Sequence, residues 1–64
     1  MGSEILEVNN LKVGDIVMCH DNEMNLFTGE ITMFVPHGIT YDVFIKCNDD
    51  NLERPFPLNN VLSR

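Results

Sequence analysis

Apolar and polar positions alternate with period two along much of this chain, the spacing of strands that turn one face toward a core. Ile16-Val17-Met18-Cys19-His20 is dense in β-branched and apolar residues and predicts a first strand. Phe27 to Val35 predicts a second, with Ile31, Met33 and Val35 alternating against Thr32 and Phe34. Ile39 to Lys46 predicts a third, with Tyr41, Val43 and Ile45 on one face and Thr40, Asp42, Phe44 and Lys46 on the other. Leu52 to Phe56 predicts a short fourth strand near a sheet edge, because Pro55 and Pro57 remove ladder donors. Leu58-Asn59-Asn60 suits one helical turn, and Val61-Leu62-Ser63 a closing strand.

Turn formers separate these stretches. Asn9-Asn10 ends an N-terminal segment, residues 4–9, that reads as a short strand or a tail. Leu11 to Asp15 reads as a turn, Asp21 to Asn25 as a polar loop, Pro36-His37-Gly38 as a tight turn and Cys47 to Asn51 as a polar turn. Eight Asn residues recur at these points, where Asn tolerates positive φ. No stretch has the periodicity of an amphipathic helix. The expected fold is therefore all-β: a small five-stranded antiparallel barrel over residues 11–64, with a single helical turn before the last strand, preceded by residues 1–10 as a tail or extra short strand. Closing a sheet on itself lets few residues enclose a core while protecting strand edges.

With 64 residues the chain holds one domain at most, and its 44% apolar share is too high for a disordered chain. Four basic residues against ten acidic ones give a net charge of −6. Lys12, Lys46, Arg54 and Arg64 are scattered, whereas phosphate binding needs clustered cations. Nucleic acid and anionic membrane surfaces are disfavoured, and a protein partner with a basic surface is favoured. No apolar run approaches the roughly 20 residues that a bilayer span requires. Met1 to Asn10 carries Glu4 and Glu7 and no signal-like pattern, and two cysteines are too few for a disulfide scaffold. Reduced thiols and a cytoplasmic setting are expected.

Gly14-Asp15-Ile16-Val17, Phe27 followed by Gly29-Glu30-Ile31, Tyr41-Asp42-Val43-Phe44-Ile45, and Glu53, Phe56, Leu58 and Val61-Leu62 together resemble the SH3-like barrels, the Tudor group most closely. The resemblance covers residues 11–63. The G-D-x-V opening is shared with KOW-type modules of ribosomal and transcription proteins, which implies a nucleic-acid-associated role as the alternative. Tudor readers of methylated Lys or Arg use an aromatic cage, because a soft cation sits well against several π faces. Here Leu26 stands where the first aromatic of the second-strand pair would be, and Cys47 to Asn51 contains no aromatic. Phe27 alone cannot make a cage, so the resemblance implies the scaffold more than the ligand, with a degenerate reader of methylated peptides as a further alternative.

Other chemistry is sparse. Cys19, His20, His37 and Cys47 are zinc-ligating types, but adjacent strand residues such as Cys19 and His20 point to opposite faces. No oxyanion hole or third orienting group accompanies a Cys–His pair, and Asp49-Asp50 with Asp21 and Glu23 lacks the calcium-loop pattern. No enzyme activity, metal or cofactor is expected. On the barrel, Val17, Cys19, Ile31, Val43 and Ile45 are expected to face inward with Leu11, Val13, Phe56, Leu58 and Leu62. Alternation then turns Ile16, Met18, Phe34 and Phe44 outward. Those outward residues form a patch for a protein partner or a second copy of the chain, or else Ile5, Leu6 and Val8 cover them. The expected binding residues are Phe27, Phe34 and Phe44, with Asp42 and Glu30 as an acidic rim.

Overall fold

The computed structural model describes residues 5–63. Glu4, where the predicted first segment begins, and Arg64, the end of the predicted barrel range, lie outside them. Glu7–Val8 (β1) and Leu11–Lys12 (β2) form a small antiparallel hairpin. Asn9 and Asn10 turn it with φ of 51° and 68°, the paired positive φ that a two-residue hairpin turn needs and Asn accepts. A five-stranded antiparallel sheet follows: Ile16–His20 (β3), Leu26–His37 (β4), Thr40–Cys47 (β5), Glu53–Pro57 (β6) and Val61–Ser63 (β7). Its spatial order is β6-β5-β4-β3-β7, and it curls into a half-barrel whose edge strands, β6 and β7, are not hydrogen-bonded to each other. The helical turn before β7 is a 3-10 turn, Leu58–Asn60, tied to β3 where the Asn60 amide donates to the His20 carbonyl (3.0 Å). Among the described residues no helix is long and apolar enough to cross a membrane.

The expected architecture and the central inward set hold. Val17, Cys19, Ile31, Val43, Ile45 and Phe56 are buried, and Leu11 and Leu58 pack against them half-buried. Two residues of the expected core are exposed: Val13 lies in the loop before β3, and Leu62 stands at the short edge strand β7. Cys47, read as part of a polar turn, is buried, because β5 continues its inward alternation through Val43, Ile45 and Cys47. The β4–β5 turn is Gly38-Ile39 rather than Pro36-His37-Gly38: β4 runs through His37, which pairs with Thr40. Pro36 is tolerated there because β3 pairs with β4 only as far as Glu30, leaving one side of β4 free of ladder bonds. Gly38 takes φ of +62°.

Phe34 is the main correction. Strict alternation predicts Met33 and Val35 inward and Phe34 outward, but Phe34 is only 4% exposed and Met33 is 43% exposed. The register explains this. Ile31 pairs with Ile45, yet Met33 pairs with Phe44 and Phe34 with Val43, so Thr32 is an extra residue on β4. A bulge of this kind shifts the alternation by one and bends the strand. The Thr32 hydroxyl has one proton to donate and faces two acceptors, the Phe44 carbonyl (3.2 Å) and the Glu53 carboxylate, so the bulge is tied to both β5 and β6.

Gly29 marks the other close approach. It pairs with Val17 on one side and Cys47 on the other, and a Cβ there would lie 2.2 Å from the Lys46 carbonyl oxygen. Gly29→Ala should therefore destabilise the domain, because backbone rather than a flexible side chain must move. Phe34→Ala is expected to cost about 3–5 kcal/mol as a core truncation, against a total of roughly 5 or less for a domain this small. Met33→Ala, next in sequence but exposed, should stay within about 0.5 kcal/mol. Urea denaturation followed by circular dichroism distinguishes the two; equal midpoints would return Phe34 to the surface.

Candidate functional site: an apolar row on the outer face of the sheet

The register that buries Phe34 aligns three side chains on the opposite face. Met33, Phe44 and Pro55 occupy one cross-strand row over β4, β5 and β6. Phe44 is half-buried between two exposed neighbours. The next row toward the β4–β5 turn is Val35, Asp42 and Pro57. The row on the other side is Glu30, Lys46 and Glu53. Carboxylates therefore flank the apolar row on both sides, with Lys46 set between two of them. Asp42 has a close neighbour of its own: His37 Nδ1 lies 3.1 and 3.2 Å from its two carboxylate oxygens. The prolines leave the β6 edge poor in donors, which suits side-chain contact on this face better than strand addition at that edge. Beside Met33 lies an open depression of about 470 Å³ that Ile5, Leu6 and Val13 also line.

Of the residues expected to bind, Phe44, Asp42 and Glu30 come together on this face. Phe34 does not, being in the core, and Phe27 does not, because it faces the inner side of the sheet. Phe27 is half-buried with its ring centroid 5.5 Å from that of Phe56, and Arg54 lies over it at 5.3 Å. Ile5 and Leu6 reach the depression beside Met33 and Phe34, so the N-terminal segment borders the row at Met33. Pro55 and Glu53 join the site without having been singled out, and Met33, which would suit an adaptable surface when exposed, joins it because the bulge turns it outward. The signal for Pro55 and Glu53 is the length of the β5–β6 hairpin, which fixes what sits opposite Phe44 and Lys46.

The loops that frame the sheet are held by carboxylates. Asp21 accepts from the backbone N–H groups of Glu23 and Asn25 (both 2.9 Å) and from the Asn25 side-chain amide (3.0 Å), and the Asn25 bonds above all lower its pKa. Asp50 accepts a forked pair of bonds from Arg54, 3.1 and 2.6 Å, and one from the Leu52 N–H (3.1 Å). The Arg54 bonds lower its pKa from 3.8 to about 2. The cysteines are not surface nucleophiles: Cys19 and Cys47 are both buried free thiols. Burial, and secondarily the neighbouring Cys47, pushes the Cys19 thiol up from 9.0 to about 11. Among the described residues no three His, Cys, Asp or Glu side chains are grouped so as to hold a metal ion. Compared with known protein families, with curated proteins and with solved structures, the chain shows no significant match to any of them.

Two pH effects follow with definite signs. The lowered Asp50 pKa contributes stability that is present above pH 3.8 and lost as pH falls through about 2. Asp50→Asn should flatten the acid limb of melting temperature against pH in that window. The raised Cys19 pKa contributes stability present below pH 9.0 and lost as pH rises toward about 11. Cys19→Ala should flatten the alkaline limb, and iodoacetamide should modify the folded parent far more slowly at pH 8 than the urea-unfolded chain. Equal alkylation rates would contradict the burial of both thiols.

Proposed function

We propose that this protein is a non-enzymatic SH3-like module of Tudor or KOW-type architecture that binds another protein, acting as an adaptor, regulator or inhibitor in the cytoplasm. The observation that carries this reading is the Met33–Phe44–Pro55 row between flanking carboxylates. An aromatic side chain set among apolar neighbours is the usual anchor of a protein interface, and acidic flanks favour a basic partner by steering its approach. Charge placement supports protein over nucleic acid as the partner. Lys46 is flanked by Glu30 and Glu53 in its row, whose carboxylates oppose a phosphate there, and Arg54 is paired with Asp50.

The test compares two baits. Phe44→Ala should fold, with a melting temperature lowered by much less than that of Phe34→Ala. In affinity capture with quantitative mass spectrometry, the specific partner should be retained by the parent and lost by at least about tenfold on Phe44→Ala, in line with about 1.4 kcal/mol or more from an aromatic anchor. Asp42→Asn/Glu53→Gln should weaken the same partner and reduce its salt dependence. A partner held equally by the parent and Phe44→Ala would place the binding surface elsewhere. A salt-sensitive complex with duplex DNA or single-stranded RNA at physiological salt would favour the nucleic-acid-associated reading instead.

A further inference from the structure

The inner side of the sheet carries a second arrangement, separate from the outer row. Phe27 on β4 presents a ring face, and the Arg54 guanidinium carbon lies 5.3 Å from its centroid. The two terminal nitrogens of the same guanidinium reach the two carboxylate oxygens of Asp50, at 3.1 and 2.6 Å. The Leu52 N–H fixes one of those oxygens, and Phe56 backs the Phe27 ring. A forked carboxylate beside an aromatic face supplies both features by which a planar guanidinium is recognised: two parallel N–H···O bonds and a π surface. A lysine ammonium, a point charge, fits only the second. Both members of the ion pair remain partly open to solvent, at 34% and 41% exposure, so the site communicates with the surface.

We infer that Asp50 and Phe27 form a guanidinium-binding site that Arg54 occupies in cis, and that the site accepts an unmodified arginine side chain of a partner protein when Arg54 is displaced. The tether makes Arg54 a strong competitor. It is four residues from Asp50, so its effective concentration at the carboxylate is on the order of millimolar or more. An incoming arginine must exceed that, which keeps the site closed to free arginine and open to one delivered by an already docked partner. An ion pair this exposed is held weakly, so exchange between resident and incoming guanidinium is feasible. The fork also sets the specificity. Asymmetric dimethylation keeps the charge of a guanidinium but strips both hydrogens from one terminal nitrogen, so one arm of the fork loses its donor. A site built on several π faces would have the opposite preference.

The experiment titrates N-acetyl-arginine amide, its asymmetric dimethylated form and N-acetyl-lysine amide into the full chain, followed by proton–nitrogen NMR at constant ionic strength. With Arg54→Ala, the arginine probe should give saturable shifts at the Asp50 to Leu52 amides and the Phe27 ring. Its affinity should exceed that of the dimethylated and lysine probes by about fivefold or more, and that of the parent for arginine by about tenfold or more. Asp50→Asn/Arg54→Ala should lose the response. Absent shifts, equal or tighter binding of the dimethylated probe, or an unchanged response without Asp50 would each overturn the proposal. Should Arg54→Ala not fold, Arg54→Gln keeps most of the side-chain stem and takes its place. In the parent, the Arg54 side chain should show nuclear Overhauser contacts to the Phe27 ring; their absence would also overturn it.

Discussion

The extra residue at Thr32 decides which side of the sheet the second half of β4 faces. Before it, Ile31 points inward and Glu30 outward; after it, Phe34 points inward and Met33 outward. Without the bulge, Phe34 would be exposed and the core would lose its only fully enclosed aromatic besides Phe56 among the described residues. The outer row depends on the same offset, because it sets Met33 against Phe44. The bulge is fixed by chemistry as well as by register: a hydroxyl on the extra residue faces a β5 carbonyl and a β6 carboxylate, and valine, with a methyl where the hydroxyl stands, could satisfy neither. One residue thus couples core formation, curvature and the composition of the outer face.

Much of the fold was legible because its signals are local. The period-two runs, the prolines around β6, the asparagine turns and the helical turn before β7 each reflect a backbone preference acting over a few residues. The inward set on β3 and β5 followed for the same reason, since those strands are regular throughout. The failures occur where a local rule gives way to a tertiary one. Nothing in Ile31-Thr32-Met33-Phe34 marks Thr32 as unpaired, because its partners, Phe44 and Glu53, are 12 and 21 residues away. Cys47 was assigned to a turn by the polar residues that follow it, although the alternation of β5 already pointed it inward. Val13 and Leu62 were counted as core for their apolar character, yet each sits where no second layer covers it.

The site was legible in part for related reasons. Phe44, Asp42 and Glu30 were accessible to simple alternation, because the first half of β4 and all of β5 are regular. Phe34 was misplaced by one residue of offset. Phe27 was identified as an isolated aromatic, and what gives it a role is Arg54, a residue 27 positions later that charge alone marks as a scattered surface cation. The acid excess acquires structure in the same way. Carboxylates flank the outer row, and one pairs with the inner guanidinium, so the two faces of one sheet carry different chemistry: an apolar row with acidic flanks outside, and the Asp50–Arg54 pair beside Phe27 inside.

The pairing register of β4 against β5 in solution tests this account most directly. Backbone nuclear Overhauser contacts should pair Met33 with Phe44 and Phe34 with Val43, leave Thr32 without an opposite residue, and place the Phe34 ring against the core methyl groups. Regular continuation from Ile31–Ile45, with Thr32 opposite Phe44, Met33 opposite Val43 and the Phe34 ring free of core contacts, would contradict it.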